Sequence, residues 1–76
     1  MVGATRHDRE AFGAALRAIR VERGLSQDDV ARKLNLHRTY VGSTERGLRN
    51  VSLNNILRLA RALDVSAEEL FARAGL

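Results

Sequence analysis

The sequence predicts an all-α fold of five short helices. Three observations point there. Apolar residues recur at helical spacing in separate segments along the chain. Four segments open on a residue suited to capping a helix N-terminus, at Asp8, Ser26, Ser52 and Ser66. Nothing reads as a strand, and the 76 residues contain no proline, so no rigid break interrupts the pattern.

Asp8 is expected to cap the first helix, which carries Phe12, Ala15, Leu16 and Ile19 on one face. Gly24 suits the left-handed stop at its end. Ser26 caps a second helix, with Asp29 as the acidic partner of a capping box and Val30, Ala31 and Leu34 as its apolar side. Asn35 and Leu36 form a tight turn, since asparagine tolerates the left-handed conformation such a turn needs. A third helix runs from about Arg38 to Arg46 and stops at Gly47. After the polar loop Leu48–Val51, Ser52 caps a fourth helix with a wide stripe of Leu53, Ile56, Leu57, Ala60 and Leu63. Asp64 and Val65 turn the chain, and Ser66 with Glu69 predicts a capping box for a fifth helix bearing Leu70 and Phe71. Residues 1–7 lack periodicity and read as a flexible tail, leaving 8–76 as one domain.

Composition removes several classes of function. There is no cysteine, so neither a disulfide framework nor a thiolate zinc site is available. His7 and His37 lie far apart without an acidic cluster, so no metal site or cofactor is expected. Apolar runs are too short for a membrane span or a signal peptide, which reads as a soluble, cytoplasmic chain without a membrane partner. The net charge is +4, and twelve of the thirteen basic residues are arginines. Arginine offers phosphate and guanine a planar fork that lysine lacks. Asp28–Asp29 and Glu68–Glu69 are adjacent acids at helix N-termini, where they meet the helix dipole. Neighbours on a helix do not face each other, so neither pair is a catalytic dyad, and the chain is not expected to be an enzyme.

The stretch His37–Asn50, HRTYVGSTERGLRN, carries the most chemistry. Together with LSQDDVARKLNL before it, it reads as helix, tight turn, helix. Arg38, Thr39 and Ser43 are expected to point outward and Val41 inward. Such a face suits the DNA major groove, where base edges offer acceptors and thymine methyls.

On these segments the chain resembles the helix-turn-helix family of lambdoid phage Cro and repressor proteins, the XRE family. The resemblance covers about residues 12–72 and rests on RVERGLSQDDVARKLNL, YVGSTERG and SLNNILRLARALDVSAEELF in order. Within the family, HRTYV, ERGLRN and VSL look most like the controller proteins of restriction–modification systems. The resemblance implies a compact five-helix, lambda-repressor-like DNA-binding domain. It implies that Arg38, Thr39 and Ser43 face base edges. It assigns Gln27, Tyr40, Arg46, Arg49 and Asn50 to the DNA backbone, and Arg20 and Glu45 to a salt bridge between the first and third helices. Two positions depart from the pattern. Gly42 stands where serine is common, and Thr44 where a large aliphatic residue is usual; both predict a looser or shifted third helix.

The function implied is a transcriptional regulator that binds a palindromic operator in double-stranded DNA as a homodimer, with RNA polymerase as a further partner. The dimer is expected through Val65, Leu70, Phe71 and Leu76. The alternative is an antitoxin-type module that binds a protein and also DNA. The chain ends at Leu76, just past the fifth helix, which leaves little sequence to wrap a toxin.

Overall fold

The computed structural model describes residues 3–76. It contains five helices: α1 (Arg6–Glu22), α2 (Gln27–Leu34), α3 (Arg38–Glu45), α4 (Leu53–Ala62) and α5 (Ala67–Ala74). The fold is all-α, as expected. None of the described helices is long and apolar enough to cross a membrane. Residues 1 and 2 of the expected tail lie outside the described residues.

The first helix starts earlier than expected. Its cap is Thr5, not Asp8: the Thr5 hydroxyl accepts the Asp8 N–H at 3.1 Å, and the Asp8 carboxylate accepts the Thr5 N–H at 2.9 Å. Asp8 is thus the third helical residue of a capping box, and Arg6 and His7 are helical rather than tail. Ser26 and Asp29 form the reciprocal box on α2 as predicted. At α5 only half of the expected box is made, with the Ser66 hydroxyl accepting the Glu69 N–H at 3.0 Å. The cap of α3 is an imidazole: His37 Nδ1 accepts the Thr39 N–H at 3.1 Å.

Apolar faces of all five helices meet in one core, with Leu16, Ile19, Leu34, Leu59, Leu63 and Leu70 among its fully buried side chains. Leu53, placed in the α4 stripe on spacing, is instead 71% exposed at the first position of the helix. Leu70, expected in a dimer interface, has no exposed surface and closes the core of the single chain. Phe71 is half-buried against Phe12, with ring centroids 5.7 Å apart.

Two glycines set how α1 lies on the end of α3. A methyl group at Gly13 would strike the Thr44 and Glu45 carbonyls, so the helix backbones touch there. Gly47 adopts φ +76°, and a side chain there would meet the backbone of Glu10. The α2–α3 turn is made by Asn35 at φ 56°, ψ 43°, the left-handed conformation expected of it.

Candidate nucleic-acid interface

The expected recognition helix has an inner frame. Arg20 and Glu45 form a bidentate pair, Nε to Oε2 at 2.6 Å and Nη2 to Oε1 at 3.0 Å. Their side chains are 11% and 3% exposed. Arg20 also donates to the Leu25 carbonyl at 2.9 Å, and Gln27 Nε2 donates to Glu45 Oε1 at 3.1 Å. Arg20 and Glu45 together therefore join α1, the α1–α2 turn, the start of α2 and the end of α3. Hydrogen bonding to Glu45 raises the Arg20 pKa above its already high ordinary value. At the start of α2, hydrogen bonds from the Ser26 backbone and hydroxyl lower the Asp29 pKa.

On the outer side, Arg38, Thr39, Gly42 and Arg46 line a shallow cleft with Gln27. Helical geometry explains that membership. At roughly 100° per residue, position 42 lies about 40° around the helix from Arg38, whereas position 43 lies about 140° away. Ser43, expected outside with Arg38 and Thr39, is absent from that cleft and only 7% exposed. Its hydroxyl donates to the Tyr40 carbonyl at 3.1 Å and accepts from Arg49 Nε at 2.5 Å. Gly42 takes the outer place. The Gln27 carboxamide and the Arg46 guanidinium lie over it, 3.3 and 3.5 Å from where a Cβ would be. The glycine leaves room for both, which gives a physical reason for its departure from the family pattern. Thr44 is 1% exposed, and its hydroxyl donates to the Tyr40 carbonyl at 2.7 Å, so the polar group costs little burial. With both departures in place, α3 is regular from Arg38 to Glu45.

Tyr40 and Arg49 form one unit at the far edge. The Arg49 guanidinium lies 4.9 Å from the centre of the Tyr40 ring. The Tyr40 hydroxyl accepts from Asn55 Nδ2 of α4 at 3.0 Å. Asn55 Oδ1 in turn accepts from Arg58 Nη1 at 3.0 Å, and Arg58 Nη2 donates to the Leu34 carbonyl. Asn50 is exposed beside them. Arg49 and Asn50 also line an apolar groove of Phe12, Val51, Ile56, Phe71 and Leu76, and Leu76 is 52% exposed. Val65 is half-buried on the turn before α5.

Sequence reading missed the capping role of His37, and it missed Asn55 and Arg58. Asn55 and Arg58 stand three apart on α4, a spacing that places them on one face and so was a usable signal. The link from α4 to Tyr40 was not, because nothing local connects residues this distant in the chain.

Comparison with known proteins agrees with this fold. A family model described as helix-turn-helix matches residues 16–70. The control protein C.BamHI of Bacillus amyloliquefaciens is 43% identical over 67 residues, 87% of this chain and 83% of that protein. The control protein C.SmaI of Serratia marcescens is 43% identical over 68 residues, 90% of this chain and 81% of that protein. The crystal structure of the restriction–modification controller protein C.AhdI from Aeromonas hydrophila superposes with a TM-score of 0.81 and 55% identity, covering 84% of this chain and 97% of that one. The buried frame, the outward arginines and these matches lead to one assignment: the chain belongs to the helix-turn-helix family of DNA-binding transcriptional regulators, among the restriction–modification controller proteins.

Proposed function

We propose that the protein is a homodimeric regulator that sets the expression of a restriction–modification system by occupying a palindromic operator. The observation that carries this reading is the outer stripe of α3, with Arg38 and Thr39 at the N-terminal end and Arg46 at the other. Arg38 and Thr39 meet base edges. Gln27, Tyr40, Arg46, Arg49 and Asn50 hold phosphates on either side. Two copies place their α3 helices in successive major grooves about 34 Å apart. Bound at a promoter, the dimer excludes or recruits RNA polymerase according to the position of the operator.

The apolar groove at Phe71 and Leu76 supports a dimer face at α5. The family supports a role by occupancy rather than catalysis, and the reading places the protein in the cytoplasm, where its DNA is. Selection of bound duplexes from a random pool tests it. A palindromic consensus with half-sites one helical turn apart is expected. Recovery of no consensus, or of a single isolated half-site bound by monomer, would refute the operator model.

A further inference from the structure

The contacts of α4 fix the direction of a hydrogen bond at the edge of α3. Arg58 has donors only, so both of its partners must accept. It is held at the C-terminal end of α2 by the Leu34 carbonyl, and its other terminal nitrogen reaches the Asn55 side chain at 3.0 Å. The atom of Asn55 that faces Arg58 is therefore the carbonyl oxygen. That leaves the amide nitrogen of Asn55 facing Tyr40, at 3.0 Å from the phenol oxygen. An amide N–H can only donate, so the phenol oxygen accepts and its own hydrogen points away from α4.

We propose that Arg58, acting through Asn55, is a positioning residue that keeps the Tyr40 hydroxyl as a dedicated hydrogen-bond donor toward DNA. An unconstrained phenol donates or accepts as its surroundings demand. Phosphate oxygens only accept, so a hydroxyl spending its hydrogen inside the protein is lost to them. The ring is fixed as well. One face is covered by the Arg49 guanidinium, and Arg49 is itself tied to α3 through Ser43. Ring and hydrogen are thus set before DNA arrives, and the constraint originates in α2 and α4, neither of which contributes the contacting hydroxyl. The inference rests on the assignment of Tyr40 to the DNA backbone.

A double-variant cycle tests it, using wild type, Tyr40→Phe, Asn55→Asp and the double variant on the selected operator duplex and on a random duplex. Removing the hydroxyl from wild type is expected to weaken operator binding about three- to tenfold. In Asn55→Asp the carboxylate accepts the phenol hydrogen, so Tyr40→Phe should then cost nothing further. The negative charge added by the aspartate falls on both members of that second pair and cancels in the cycle. Arg58→Met gives an independent route: with the carboxamide free to flip, the cost of Tyr40→Phe should shrink. A wholly structural role would lower the thermal midpoint and leave the Tyr40→Phe ratio the same in every background. Equal ratios in the Asn55→Asp and Arg58→Met backgrounds would overturn the proposal while leaving the regulator reading intact. If wild type itself does not distinguish the operator from random DNA, both fall.

Discussion

Glu45 is the residue on which the interface depends without touching it. Its carboxylate accepts from Arg20 twice and from Gln27 once while only 3% exposed. Replacing Arg20 by Met leaves a buried carboxylate without its charge partner, and about 3–5 kcal/mol of stability should be lost. Chemical denaturation measures this directly, and a loss under about 1 kcal/mol would show that the pair is solvated in solution. Arg38 is the opposite case, exposed and expendable for folding. Arg38→Ala should leave stability unchanged, cost about 1–3 kcal/mol on the operator and relax preference at one base pair, with little loss on random DNA. Equal losses on operator and random duplexes would instead mark Arg38 as a phosphate contact. At this scale the sequence was legible by type but not by direction. Arg20 and Glu45 could be paired by resemblance. The polarity of Ser43 suits bases, yet its hydroxyl is taken up by the Tyr40 carbonyl and the Arg49 guanidinium.

The helices owe their ends to a few side chains, and those ends carry testable weight. Of the five caps, that of α3 alone is an imidazole. His37→Ala should cost about 1 kcal/mol, and His37→Asn should restore most of it, because asparagine is among the best caps. Thermal unfolding of the two variants separates a cap from a mere exposed ring. The acidic partners in the capping boxes make a different prediction. Hydrogen bonds from Thr5 lower the Asp8 pKa and those from Ser26 lower the Asp29 pKa, both from an ordinary value of 3.8. A carboxylate with a lowered folded pKa stabilises the fold in full above its unfolded value and loses that contribution as the pH falls below it. Stability should therefore be flat near neutrality and decline below about pH 4. Asp29→Asn should shallow the decline. Helix existence was legible because spacing and caps are local. The start of α1 was not, since Thr5 and Asp8 both suit a cap and only the reciprocal bonds decide between them.

For the molecule as a whole, the monomer core was readable, but the division of late apolar residues between core and surface was not. Leu70 and Phe71 look alike as apolar residues late in the chain, but Leu70 is consumed by its own core while Phe71 borders the open groove. A sequence does not say which apolar side chains the single chain leaves over. Sedimentation at tens of micromolar should report a dimer, and Phe71→Lys should shift it toward monomer. A dimer unchanged by that substitution would place the contact elsewhere. If about 6–10 phosphates are contacted, affinity should fall roughly a thousandfold or more between 50 and 200 mM salt.

The bare middle of α3 has a consequence for the DNA rather than for the protein. Gly42 offers no side chain and Ser43 faces inward, so the outer face of α3 carries little more than Arg38 and Thr39, with Arg46 just past its end. One good bidentate contact discriminates by about 1–3 kcal/mol. Bending a site to fit two rigidly held helices costs on the order of 1–6 kcal/mol, depending on the flexibility of its base steps. If Arg38 and Thr39 alone read edges, as proposed, the two quantities are comparable. Operators for this protein should accordingly be constrained at base pairs that nothing touches. Exchanging a pliable pyrimidine–purine step for a stiff A-tract at the centre of the site should change affinity without altering a single contact.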